Sequence, residues 1–347
     1  MSDCGLLLYG LDASYFTQRV QIALEEKGLK YRQYNLNVAM AETIMPWYMR
    51  LNSLGQVPTL VYGDVVLTQS ERIIEYLDEK FPETTRLCPD KSTAEGHRCE
   101  YFKQLCNKVN PVVLTMGGST IYTEISGSEN SVWYFSPSTV RLTRKAFRDL
   151  IPAKCEKYAT ENPDLKGVYL KKAAWGRGWT LEPNVDELQT MLHLTDDVFT
   201  KLEIEIARNA ESASHDGKPM WLCGDNFTVA DIYLSVLLHR LEELGLHNRY
   251  WGNDKRPQVA KYFNQIRNWD SYKKSRPTLT RVSLALSIIR PKLPWILAVG
   301  ATAAALGIGI GYALSKGSQG STFQDYVPFT FTEDKIWVWR FCYPRHA

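Results

Sequence analysis

The sequence predicts an α/β thioredoxin-like N-terminal domain, an all-α C-terminal domain carrying a long insert, and one C-terminal transmembrane helix. Three observations predict this. The first ninety residues read as strand, helix, strand, helix, hairpin and helix; the residues after them carry apolar positions at steps of three and four; and Trp295 to Leu314 is an apolar run with no charged residue. The expected divisions are 1–85, 86–275 with an insert over about 112–190, a basic and apolar juxtamembrane segment 276–293, the helix 294–315 and a tail 316–347.

Leu6 to Tyr9 forms the first short apolar strand, and after Asp12 a helix follows whose Phe16, Val20, Ala23 and Leu24 share one face. Gly28 supplies the left-handed residue that ends it, and Leu29 to Leu36 is extended. Pro46 is suited to a first helical turn and opens Trp47 to Leu51. Thr59 to Tyr62 and Val65 to Leu67 pair as a hairpin across Gly63-Asp64. The last helix starts near Ser70, whose hydroxyl can cap it, buries Ile73, Ile74, Leu77 and Phe81, and stops at Pro82.

The second domain opens with a charged helical stretch from Cys88 to Val109. Thr115 to Ser138, rich in Gly, Ser and Thr, reads as an irregular loop. Arg141, Arg144, Lys145, Arg148, Lys154, Lys157, Lys171, Lys172 and Arg177 make the next helices basic; a solvated face explains this, as does an acidic partner or lipid headgroup. Leu188, Met191, Leu192, Thr195, Val198, Leu202 and Ile206 mark one long helix to about Ala210. Thr228 and Asp231 form a reciprocal cap for the helix that follows, with Phe227 and Ile232 clamped across it.

About twenty residues at 1.5 Å rise cover the roughly 30 Å of bilayer hydrocarbon. Arg276, Arg281, Arg290 and Lys292 precede this run and Lys316 follows it, a bias that leaves the N-terminal body in the cytosol. Gly307 and Gly311 form a GxxxG pair that would let two such helices approach as a homodimer. The seven cysteines form no CxxC and no zinc spacing, and the net charge of +3 is too small to suggest nucleic acid, so neither a metal nor a nucleic-acid partner is expected.

Ser14-Tyr15-Phe16-Thr17-Gln18-Arg19-Val20, Asn52-Ser53-Leu54-Gly55-Gln56-Val57-Pro58, and Gln69-Ser70 with Ile74 and Tyr76-Leu77 resemble the N-terminal domain of glutathione S-transferases. The capped segment Trp221 to Asp231 resembles the folding signature of their all-α C-terminal domain. The resemblance implies a cis-proline at Pro58, the Val57 backbone on the cysteinyl part of glutathione, and Gln69 and Ser70 on its γ-glutamyl group. The alternative is scaffold alone, with Ser70 no more than a cap. Ser14 is the candidate for stabilising a thiolate, since a free thiol of pKa about 8.5 is mostly protonated at neutral pH, and it can equally serve as the helix cap.

More narrowly, Pro46-Trp47-Tyr48-Met49-Arg50-Leu51-Asn52-Ser53, Glu161-Asn162-Pro163-Asp164-Leu165, Trp221-Leu222-Cys223-Gly224, Leu238-His239-Arg240-Leu241 and Trp251 to Pro257 resemble the ganglioside-induced differentiation-associated protein 1 family. That resemblance implies a tail-anchored protein of the mitochondrial outer membrane that promotes fission, with fission or organelle-contact proteins as partners and a redox link to glutathione. The competing expectation is a membrane-anchored glutathione transferase or peroxidase acting on electrophiles. The tail after the anchor, which ends in Ile336 to Phe341, is longer and less basic than the family's tails.

Overall fold

The computed structural model describes residues 5–11, 13–37, 41–118, 123–178, 185–213, 219 and 221–278. The expected juxtamembrane segment from 279 on, the transmembrane helix with Trp295, Gly307, Gly311 and Leu314, and the tail lie outside these residues. Among the described residues no helix is long and apolar enough to cross a membrane.

The chain begins with β1 (Leu6–Gly10), α1 (Tyr15–Glu26), β2 (Tyr31–Asn35), α2 (Pro46–Leu51), β3 (Thr59–Tyr62), β4 (Val65–Thr68) and α3 (Ser70–Lys80). The strand order is β2-β1-β3-β4, with β1 parallel to β2 and the other pairs antiparallel. Alternation along β1 sorts its side chains. Leu6 and Leu8 pack with Val20 and Leu24 of α1 and Ile73 and Leu77 of α3, whereas Tyr9 meets the rings of Tyr34, Trp47 and Tyr48 at 5.7 to 5.9 Å. Tyr9 is therefore an aromatic packing residue, half-buried. Gly28 ends α1 at φ +63, as its position after the last apolar residue predicts. Phe16 departs from the expected apolar face: it is 38% exposed.

The helices continue as α4 (Ala94–Asn107), α5 (Pro111–Val113), α6 (Thr123–Ser126), α7 (Pro137–Lys145), α8 (Ile151–Glu161), α9 (Lys166–Gly178), α10 (Val185–Ala213), α11 (Val229–Glu243), α12 (His247–Tyr250), α13 (Pro257–Asn268) and α14 (Asp270–Ser275). α11 is buried along nearly its whole length and packs on α1, α4 and α13. Its start carries the expected reciprocal cap, and Asp231 does more than cap. Its carboxylate also accepts from the Leu222 N–H at 2.8 Å and the Tyr262 hydroxyl at 2.6 Å, joining α11, α13 and the preceding loop.

The described residues of 115–138 are less irregular than their composition suggests, with helical turns at Leu114–Gly118, Thr123–Ser126 and Trp133–Phe135. Distant backbone fixes two of them: Glu129 N–H donates to Gly245 C=O and Val132 N–H to Glu243 C=O, both at 2.9 Å. Gly245 permits that approach, because a Cβ there would sit 1.9 Å from the Glu129 oxygen. Helices α8 and α9 pack on each other and against α2 through Ile44, Met49, Cys155, Leu165, Tyr169 and Ala173. The Tyr169 hydroxyl donates to the Ile44 carbonyl at 2.8 Å, and Arg50 pairs with Asp164 at 3.0 Å.

Candidate functional site

A cleft of about 240 Å³ lies where the N-terminal sheet meets α1, α4 and α11, lined among others by Phe16, Arg19, Gln56, Val57, Pro58, Gln69 and Ser70. Four of the five residues expected in the site, Val57, Pro58, Gln69 and Ser70, converge here, and the Val57–Pro58 bond is cis. Neither the N–H nor the C=O of Val57 takes a hydrogen bond among the described residues, which leaves a backbone edge open to a peptide-like ligand.

The helix start beside it differs from expectation in a way that matters. Ser70 does not cap α3: the cap position belongs to Gln69, which makes no side-chain capping bond, and Ser70 is the first helical residue. Its hydroxyl lines the cleft in a residue only 6% exposed and has no hydrogen-bond partner among the described residues. Gln69 is held at φ +70, a conformation that costs a non-glycine residue about 1 to 3 kcal/mol and that clusters at ligand sites. Free N–H groups, the positive end of an eleven-residue helix and a spare hydroxyl together form an anion-binding corner.

Ser14 is engaged differently. It is the cap of α1, its Oγ accepting from the Thr17 N–H at 3.2 Å, and it is not among the residues lining the cleft. The cationic group there is Arg19, 2% exposed. Its guanidinium lies 3.6 Å from the Tyr233 ring centroid, donates to the Tyr15 hydroxyl at 3.0 Å and to Asn107 Oδ1 at 3.3 Å, and leaves Nε without a partner. No carboxylate neutralises it among the described residues. Buried charges are ordinarily paired, so this one marks a place for an anion.

The surroundings of Arg19 are not legible in its neighbours along the chain, because Asn107 and Tyr233 reach it from α4 and α11. The same cleft holds Glu71, whose carboxylate accepts from Lys103 Nζ at 2.6 Å across the domain junction. Among the described residues no group of three or more His, Cys, Asp or Glu side chains is placed to hold a metal ion.

Residues 8–85 match the profile of the glutathione S-transferase N-terminal domain, and residues 194–270 that of the glutathione S-transferase C-terminal domain. The chain is 26% identical over 316 residues to ganglioside-induced differentiation-associated protein 1-like 1 of Homo sapiens, spanning 88% of this chain and 84% of that protein. It is 30% identical over 164 residues to glutathione S-transferase Z2 of Arabidopsis thaliana, spanning 45% of this chain and 68% of the relative. Among solved structures, beta-etherase LigF from Sphingobium sp. strain SYK-6 superposes with a TM-score of 0.56 at 19% identity, covering 78% of this chain and 98% of the other. Ure2p in complex with glutathione superposes with a TM-score of 0.51 at 16% identity, covering 78% and 98%. At these identities the structural likeness shows the fold.

Proposed function

Because the chain belongs to the glutathione S-transferase family and resembles its ganglioside-induced differentiation-associated branch, we propose that it is a glutathione-binding, membrane-anchored regulator of the mitochondrial network that promotes fission. The observation that carries glutathione binding is the unpartnered hydroxyl that Ser70, a buried residue at the start of α3, presents to the cleft. Ser70 and the free N–H groups of that turn would hold the γ-glutamyl carboxylate, Gln69 and Glu71 its ammonium group, and the Val57 backbone the cysteinyl unit. Glutathione, when bound, supplies a thiol. Calorimetry of the full-length chain with glutathione tests this; absence of heat at millimolar ligand would discard the binding.

The regulatory part of the proposal is supported by the branch resemblance, and the anchor by the apolar run from Trp295 to Leu314. The proposed location is the mitochondrial outer membrane, single-pass, with the N-terminal body in the cytosol and Gly307 and Gly311 supporting a homodimer. Lipid of that membrane and proteins of fission or organelle contact are the proposed partners. Carbonate extraction, protease added to intact mitochondria and imaging of network length after depletion test these points. Release by carbonate, a protected N-terminal body or an unchanged network would each remove its part.

Arg19 favours a second reading, a transferase or peroxidase. A buried guanidinium lining a cleft lowers the energy of a thiolate held there, and Arg19 has no carboxylate to satisfy it among the described residues. Ser14, occupied as a cap, has a weaker claim to that task. Turnover of an aromatic electrophile or an organic hydroperoxide that falls in Arg19→Met and persists in Ser14→Ala would favour this reading.

A further inference from the structure

A second cavity, about 410 Å³, lies between the 53–56 loop and α9, lined by Ser53, Leu54, Gln56, Val168, Lys171, Lys172 and Trp175. Its volume falls within the roughly 300 to 1,000 Å³ of small-molecule sites. Val168, Lys171, Lys172 and Trp175 follow one another at steps of three, one and three, so α9 presents them as one stripe. The walls are apolar: Leu54 and Trp175 are about half exposed, at 51% and 49%, although both are large hydrophobic side chains.

Charge decides the kind of occupant. No acidic residue lines the cavity, and neither lysine pairs with a carboxylate among the described residues. Lys172 Nζ donates to the Leu54 carbonyl and lies 5.7 Å from the Trp175 ring centroid. Burial pushes its ammonium below the ordinary lysine range. A partly buried cation held by one carbonyl and one aromatic face gains most from an anion, and the surrounding apolar walls gain most from hydrocarbon.

We propose that this cavity binds an amphipathic organic carboxylate, its carboxylate on Lys171 and Lys172 and its apolar body against Leu54, Val168 and Trp175. The site is distinct from the glutathione cleft, which it adjoins through Leu54 and Gln56. Both parts of the ligand are needed, since each buried methylene adds about fourfold in affinity and the charge selects the end that meets the lysines.

The test is lysine footprinting by mass spectrometry on the full-length chain in nanodiscs of zwitterionic lipid, with exposed Lys201 as internal reference. Acetylation of Lys171 and Lys172 by a water-soluble active ester is followed with octanoate, octanol, acetate or inorganic phosphate present at equal concentration. Octanoate is expected to slow both lysines about tenfold relative to Lys201, and the other three to slow them less than twofold. Trp175→Ala, at a half-exposed position, should lose most of the octanoate protection while keeping the far-ultraviolet spectrum. Equal protection by acetate or phosphate would reduce the site to a bare anion contact. Equal protection by octanol would remove the role of charge, and no protection by octanoate would overturn the proposal.

Discussion

Ser70→Ala separates a binding serine from a capping one. In the folded chain the Ser70 hydroxyl forms no hydrogen bond among the described residues, and Gln69 holds the cap position. Removing the hydroxyl therefore breaks nothing in the protein, and alanine suits a helix at least as well. Stability should stay within about 0.5 kcal/mol. A capping serine would instead cost about 1 kcal/mol, which lowers Tm by roughly 2 to 4 °C for a body of this size. The ligand loses more. A hydrogen bond to a charged carboxylate contributes about 1.5 to 3 kcal/mol, so the glutathione Kd should rise about 10- to 150-fold. Isothermal calorimetry and a thermal melt on the same preparation read both quantities. A lower Tm with unchanged Kd would return Ser70 to the role of a cap and refute the assignment.

Ser14→Ala should show the reverse, a loss of about 1 kcal/mol by denaturant titration with glutathione Kd within twofold. Gln69→Gly removes the positive-φ strain and should raise stability by about 1 kcal/mol while weakening glutathione binding, so a parallel loss of both would contradict it. Asp231→Ala orphans the Leu222 and Thr228 N–H groups and the Thr228 and Tyr262 hydroxyls; the melt should fall by about ten degrees or more, against about 1 kcal/mol for Tyr262→Phe. For Glu243, burial pushes the carboxyl up, but His239 Nε2 at 3.2 Å, the charge of Arg240 and the Tyr134 hydroxyl outweigh it and hold it below the ordinary glutamate range. The folded pKa is depressed, so this stabilisation is present above about pH 4.5 and is lost as pH falls through the folded value. Glu243→Gln should flatten the stability profile below about pH 5, and an unaltered acid limb would count against the pairing.

Local signals carried most of the N-terminal domain and the start of α11. The hairpin over Gly63-Asp64, Pro46 at a first turn, Gly28 as terminator and the Thr228–Asp231 cap each depend on residues a few positions apart, and sequence displays such relations directly. α3 begins at Ser70 as its sequence predicts, but the cap position falls on Gln69, whose positive φ nothing in a glutamine announces. Arg19 stands in the Ser14–Val20 motif with no role that the motif assigns to it. Its meaning comes from Asn107 and Tyr233, 88 and over 200 positions away, and helical periodicity is blind to that distance. Gly, Ser and Thr make 115–138 read as irregular, yet hydrogen bonds to Gly245 and Glu243 fix Glu129 and Val132 from outside.

The seating of α8 and α9 on α2 constrains how this chain can respond to what it binds. Ile44, Met49 and Tyr169 share one apolar cluster, Tyr169 holds the Ile44 carbonyl, and Lys172 holds that of Leu54. The segment from Ile44 to Leu54, just before Gln56, is thus tied to α9 at both of its ends. A displacement of this segment would have to break those two hydrogen bonds or carry α8 and α9 with it. Trimming α8 and α9 away would not yield a simpler relative of this protein; it would leave Ile44 and Met49, greasy side chains, in water.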